Sequence, residues 1–326
     1  MTATAVHTPR NSWRMPRVLM YHNFGAPNAG ADPEQLFVTV ETFREHLALL
    51  RKNGWRALNL DEFLATLTGT PAPRRSFLIT IDDGHESVLH HAAPILAEAG
   101  VPSVLFVPPA VLGGPITWNP AYAAERLAAK SEIATLAGSV MEVGVHSWDH
   151  SRMYGMDPAE LKLHAVTALD EVEEMMGYRP RSFAYPFGTH DVAARQALSD
   201  AGYAVSFAVA REHGRFAVDR IYVKGSDSLL MFRFKLSLVY RAMSRLAGRT
   251  PWLRHKVRAL VGLVRGRGHE EQPAVAAVSS DGPLGTQTPG TRARETRAPE
   301  TRAPETQTPA RQTPDGEPRA HGRTDD

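Results

Sequence analysis

Two neighbouring aspartates, Asp82 and Asp83, end the apolar run Phe-Leu-Ile-Thr-Ile at 77–81 and are followed by Gly84. Two carboxylates at this range do not both stay ionised in an apolar setting unless a cation or hydrogen-bond donors compensate them. Either the pair is a solvated Asp-Gly turn, or it is a metal ligand beside a general base, which would resolve the conflict. Further along, Val-Gly-Val-His-Ser-Trp-Asp-His at 143–150 sets His146 and His150 four residues apart. Alone they read as surface or capping histidines. Joined to a strand-end carboxylate they make a two-imidazole, one-carboxylate set with open positions for water and substrate. Asp149, between them, is either an acceptor for an imidazole N–H or a solvated turn residue. The same donor set also occurs in non-haem iron oxygenases, though on a different β architecture and without an adjacent second Asp. The chain contains no Cys, so any metal must rest on His, Asp or Glu.

Residues of this kind act together only if the fold brings them together. Short apolar runs at 17–21, 77–81, 103–107, 141–145, 182–185, 203–208 and 220–223 read as strands. Between them lie helical patterns: about 41–53, closed by Gly54; a helix ending at Ala99, closed by Gly100; one from Pro158 to about Met176; and one from about Asp191 to Ala201. Asp157, Pro158 and Glu160 supply the N-cap, the proline at the first helical position and the capping-box acid of the third of these. Strands alternating with helices imply a parallel sheet, and their number favours a barrel-like α/β fold. Chemistry in such folds gathers at the carboxyl ends of the strands. Those ends carry Tyr21-His22, Asp82-Asp83-Gly84, Val145-His146 and Tyr185-Pro186-Phe187-Gly188.

Ile81-Asp82-Asp83-Gly84, His146-Ser147-Trp148-Asp149-His150 and Phe183-Ala184-Tyr185-Pro186-Phe187-Gly188, in that order, resemble the polysaccharide deacetylases of the NodB-homology type, carbohydrate esterase family four. The resemblance covers roughly residues 15–225. It implies a distorted (β/α)7 barrel and a divalent metal, usually zinc, with cobalt or nickel as other occupants. It further implies removal of N-acetyl groups, or less often O-acetyl groups, from sugars; a non-catalytic carbohydrate-binding member of the same fold is the competing reading. By position, Asp82 matches the general base, Asp83, His146 and His150 match the metal ligands, and Phe187 matches the residue whose backbone N–H faces the oxyanion. Tyr185, Trp148 and Trp118 are candidates to stack on a sugar ring, with packing in the core or at the rim as the alternative for each. Two departures stand out: Ala184 occupies the place where the family has an Arg that holds the base, and the late Leu-His motif is missing. Arg220 is the substitute candidate for the first, a structural salt bridge being the alternative. Leu19-Met20-Tyr21-His22 resembles the opening strand of the subgroup that includes the biofilm poly-N-acetylglucosamine deacetylases, whose motif order is circularly permuted, and makes His22 the candidate general acid. His85, His90 and His91 read as surface residues.

The outlying segments differ in composition. Residues 1–14 hold no apolar stretch of the kind a secretory leader needs, and no run approaches the ~20 apolar residues that span a bilayer; the expectation is a cytoplasmic protein. The 326 residues carry a formal charge of only +2, yet 229–268 contains many Arg and Lys and neither Asp nor Glu. Its two expected helices, one over 229–248 and one from Thr250, either pack on the barrel or lie on an anionic leaflet at the inner face of the membrane. No nucleic-acid reading motif accompanies the charge. From 269 the chain becomes low-complexity, with an imperfect Glu-Thr-Arg-Ala-Pro repeat and a composition expected to be disordered. The resulting organisation is a flexible 1–14, a catalytic domain over 15–228, a basic helical segment over 229–268 and a tail over 269–326.

Overall fold

The computed structural model describes residues 15–249 except 29 and 210–213. The N-terminal segment 1–14, the helix expected from Thr250 and the tail from 269 lie outside the described residues. The strands are β1 (Arg17–Tyr21), β2 (Asn23–Phe24), β3 (Phe37–Val38), β4 (Arg56–Ala57), β5 (Ser76–Ile81), β6 (Ser103–Val107), β7 (Met141–Val145), β8 (Ser182–Ala184), β9 (Val205–Ala208), β10 (Val218–Asp219) and β11 (Ile221–Tyr222). The main sheet is parallel throughout, in the order β10-β9-β8-β7-β6-β5-β1-β11, with β4 also on β5, while β2 and β3 form a separate pair.

Its two ends nearly meet. β10 pairs with β9 and β11 pairs with β1, and only Arg220 separates them. Residues 218–222 therefore behave as one strand interrupted at Arg220, which joins β9 to β1 and makes the seventh stave of a nearly closed (β/α) barrel. The strands are apolar almost without interruption because both of their faces are covered. Successive residues still alternate: Val18, Leu78, Val104, Phe106, Ala184, Val205, Phe207 and Val218 share one cluster with Leu60 and Phe63 inside the barrel. Leu19, Tyr21, Ile79, Ile81, Leu105, Val107, Val143, Val145, Phe183 and Tyr185 belong to the larger cluster beneath the helices.

Nine α-helices surround this sheet among the described residues: α1 (Val40–Lys52), α2 (Leu60–Leu67), α3 (Ala93–Ala99), α4 (Lys130–Ala134), α5 (Pro158–Lys162), α6 (Ala168–Met176), α7 (Val192–Asp200), α8 (Leu229–Lys235) and α9 (Leu238–Arg249). Asp157 accepts from the N–H groups of Ala159 and Glu160, and the Glu160 carboxylate accepts from the Asp157 N–H, so the capping box forms as its spacing requires. The run from Pro158 to Met176 is continuous but contains a π-helical turn at Leu163–Thr167. Gly100 closes α3 with φ 61°.

The basic segment departs from its expectation. It breaks between α8 and α9, and the stripe that packs is Met231, Phe232, Lys235 and Leu236. Phe232 stacks on the buried His46 at 3.8 Å, and Lys235 pairs with buried Asp227 and donates to the Tyr222 carbonyl at 2.7 Å. Because Phe232 and Leu236 belong to the barrel core, packing continues past the expected boundary at 228. Leu230 (66% exposed), Leu238 (51%) and Val239 (60%) remain at the surface. No described helix is long and apolar enough to cross a membrane.

Candidate active site

The inward register of β5 passes through Leu78 and Thr80 and continues to Asp82 at the strand's carboxyl end. Asp82 is 3% exposed and meets Arg220, 4% exposed, in a fork: Nη1 donates to Oδ1 at 2.6 Å and Nη2 to Oδ2 at 2.7 Å. Nη1 lies 3.2 Å from Thr80 Oγ1, and that hydroxyl donates to the Leu19 carbonyl. Burial raises the pKa of Asp82, but the Arg220 guanidinium together with His146 and His22 holds the carboxyl below its ordinary value. The position where the resemblance implied an Arg holds Ala184 on β8, and the charge arrives instead from the break in the closing strand. The two residues are 138 positions apart in the chain.

Asp83, His146 and His150 form the second half of the site. Their candidate ligand atoms all lie within 4.8 Å of one another and all three residues are buried. Asp83 Oδ1 lies 3.3 Å from His146 Nε2 and 3.2 Å from His150 Nε2. His146 Nδ1 sits 2.7 Å from the Ala184 carbonyl oxygen and must donate to it, which leaves the lone pair on Nε2. A neutral His146 therefore turns an acceptor toward another acceptor, Asp83 Oδ1, which is buried without a hydrogen-bond partner. Such an arrangement needs a positive charge between its members. Burial lowers the pKa of His150, which disfavours an imidazolium as that charge. Burial pushes the Asp83 carboxyl up, and it falls below the usual range only through donors or positive charge on the side of His146 and His150. The donor set thus fits a divalent cation, with two imidazoles and one carboxylate converging on one point.

Backbone strain gathers in the same place. Six described non-glycine residues have positive φ, and four of them are Asp83 (76°), Ser147 (63°), His150 (71°) and Phe187 (58°). Left-handed backbone costs energy at such residues and is found where surrounding structure forces a side chain or N–H into a required direction. At Gly188, a Cβ would come within 2.8 Å of Val209 N, so the turn that carries Phe187 cannot accept a larger residue there.

The other expected residues divide. His22 is part-buried, with its ring edge against Tyr222 at 5.3 Å and its Nδ1 buried without a hydrogen-bond partner; its charge helps to lower the pKa of both Asp82 and Asp83. The Phe187 ring is 48% exposed, set edge-on to His150 at 4.8 Å and covered by the Arg152 guanidinium at 3.7 Å. Trp148 is part-buried against the core, and its backbone carbonyl accepts from Ala110 N. Tyr185 is a correction. Its side chain is fully buried, its hydroxyl donates to the Phe216 carbonyl at 3.1 Å, and its ring stacks on His190, so it packs in the outer core and is closed to a sugar. His85 is a second correction: it is buried, contacting Ser87 Oγ through Nδ1 at 2.7 Å and Glu125 Oε2 through Nε2 at 3.2 Å. Trp118 lies at the site, stacked on His150 with ring centroids 3.9 Å apart. It comes from an irregular loop after β6, whose register no periodic pattern announces.

Residues 69–206 match the family model for polysaccharide deacetylases. They form a polysaccharide deacetylase domain. The matched span holds Asp82, Asp83, His146, His150 and Phe187, whereas β1 with His22 and the closing strand with Arg220 complete the barrel from outside it. The chain is similar to the YxkH protein of Bacillus subtilis, 23% identical over 212 residues, which cover 63% of this chain and 70% of that protein. It is also similar to the poly-β-1,6-N-acetyl-D-glucosamine N-deacetylase of Escherichia coli K12, 22% identical over 252 residues. That match covers 66% of this chain but spans only 37% of the relative's length. The structure of IcaB from Ammonifex degensii superposes with a TM-score of 0.57 at 23% identity, covering 69% of this chain and 98% of that one. At this identity it shows a shared fold.

Proposed function

We propose that the protein is a metal-dependent hydrolase that removes N-acetyl groups from an amino-sugar glycan or glycoconjugate of the N-acetylglucosamine type. The observation that carries this reading is the pairing of two differently compensated carboxylates: Asp82 neutralised by Arg220, and Asp83 facing two imidazole nitrogens. Asp83, His146 and His150 would hold the ion, for which Zn2+ suits the donor set, with Co2+ or Ni2+ as other occupants. A bound divalent ion supplies Lewis-acid polarisation of an acetyl carbonyl and a lowered pKa for water.

The protein's own groups account for the remaining steps. Asp82 is kept ionised, and its plane is fixed by the Arg220 fork, so it is oriented to accept a proton from the attacking water through lone pairs that the guanidinium leaves free. The Phe187 N–H, carried on a left-handed backbone, is the donor toward the developing oxyanion, a contribution of about 2.7–4 kcal/mol where one such donor has been removed elsewhere. His22, at the end of β1, gives its proton to the departing amine, because an amide nitrogen leaves poorly without one. An acetate-release assay on N-acetylated amino-sugar oligomers and on O-acetylated sugars tests the reading. Release from the first set supports it. Release from only the second would make the protein an O-acetyl esterase, and release from neither would leave it a carbohydrate-binding member.

The reading extends to position in the cell. The exposed Leu230, Leu238 and Val239, followed by a sequence without acidic residues to Gly268, support attachment of this side of the barrel to an anionic leaflet.

A further inference from the structure

His146 and His150 are held in different ways. Imidazoles that ligate metals are normally oriented by a hydrogen bond from the other ring nitrogen. His146 has one, to the Ala184 carbonyl. His150 Nδ1 is buried and has no protein hydrogen-bond partner, and its residue sits at φ 71°, where the backbone gives no ordinary support.

His150 instead sits in an aromatic clamp. The Trp118 indole lies parallel to the imidazole, with centroids 3.9 Å apart and planes 13° apart. Phe187 meets the ring edge-on at 4.8 Å and 79°, and His146 does so at 4.9 Å and 74°. The loop that delivers Trp118 is built to stay in place. Ile116, Tyr122 and Leu127 are buried with Leu36 and Phe37 in a satellite core against which Trp118 packs. Glu125 accepts from Asn28 N at 2.6 Å and from Asn28 Nδ2 at 3.0 Å, and lies 3.2 Å from His85 Nε2. The Ile116 N–H donates to the Glu125 carbonyl at 3.0 Å.

We propose that Trp118 is a positioning residue for His150: the flat indole face, in place of a hydrogen bond at Nδ1, fixes the imidazole plane and thereby sets the affinity of the site for a divalent cation. The inference rests on Asp83, His146 and His150 being the cation site. It leads to a pattern that packing bulk alone would not produce. A flat ring at 118 should suffice, and an aliphatic side chain of comparable volume should not.

The experiment uses the full chain, stripped of metal and titrated with Co2+, following the visible absorption of the bound ion, in wild type, Trp118→Phe, Trp118→Leu and Trp118→Ala. Thermal unfolding of each metal-free variant monitors the fold. The expected result is affinity within a few-fold of wild type for Trp118→Phe, and roughly tenfold or greater weakening with an altered spectrum for Trp118→Leu and Trp118→Ala. Equal affinity for Leu and Phe at 118 would overturn the proposal. So would unchanged Co2+ affinity in Trp118→Ala with a raised KM, since the indole would then be a platform for substrate. Asp83→Asn and His150→Ala separate the underlying reading: if they bind Co2+ as wild type does, the cation site itself is wrong, whereas their failure beside an unaffected Trp118→Ala refutes only the role of Trp118.

Discussion

Replacing Arg220 by Gln should destabilise the protein far more than the loss of a surface charge would. The guanidinium is 4% exposed and forms two charge-assisted hydrogen bonds, of 2.6 and 2.7 Å, to a carboxylate that is 3% exposed. Removing one partner of such a pair leaves the other charge buried and uncompensated, at a cost of about 3–5 kcal/mol. Replacing both charges removes that penalty. Asp82→Asn with Arg220→Gln should therefore recover much of the loss, giving a coupling on the order of 2 kcal/mol or more. Urea unfolding of the metal-free protein, followed by circular dichroism on all four members of the cycle, measures it. The activity of Arg220→Gln should fall as well, because Asp82 loses both its orientation and the charge that keeps it ionised. A loss below about 1 kcal/mol, the range of exposed ion pairs, or additivity across the cycle, would refute the claim that Arg220 is what holds the base.

The remaining predictions concern the barrel and its flank. His46 is fully buried and its pKa is lowered to about 4, first by burial. Its unfolded value is higher, so protons favour the unfolded chain between the two; this contribution is fully present above about pH 6.5 and is lost as pH falls toward 4, amounting to about 3 kcal/mol at most. His46→Phe should flatten that part of a stability–pH profile. Phe232→Ala should cost about 3–5 kcal/mol of global stability, because the ring is fully buried against His46; an unchanged urea midpoint would show that α8 is an appendage. In sedimentation with liposomes, Leu230→Asp with Val239→Asp should lower recovery on anionic vesicles and leave acetate release from soluble oligomers unchanged. Equal recovery with and without anionic lipid would end the proposed attachment.

Much of the site could be read from the chain because the barrel strands are largely apolar runs that end in polar residues at the site. Asp82 and His146 stand at such ends, and the spacing of His146 and His150 marks a turn back toward the same point. The misplaced aromatic was also legible in principle: on β8 and beyond, Ala184 shares the interior with Val18 and Phe106, while Phe183 and Tyr185 alternate outward. Arg220 could be named only as a candidate, since its partner is remote in sequence and the break between β10 and β11 follows from closure of the barrel rather than from local preference. The burial of His85 and the placing of Trp118 depend on the loop between β6 and α4, whose packing on residues 28–37 is long-range. The break between α8 and α9 has no signature in the sequence because an amphipathic pattern runs through it; the buried Lys235–Asp227 pair, not periodicity, decides which face turns inward.

In the proposed site one cation is held by Asp83, His146 and His150, and Asp82 beside it does not ligate it. Metal content and acetate release, measured together on wild type, Asp82→Asn and His146→Ala, test this most directly. The expected result is about one divalent ion per chain in wild type and Asp82→Asn, turnover only in wild type, and neither metal nor turnover in His146→Ala. Near-normal acetate release from Asp82→Asn, or full metal occupancy in His146→Ala, would contradict it.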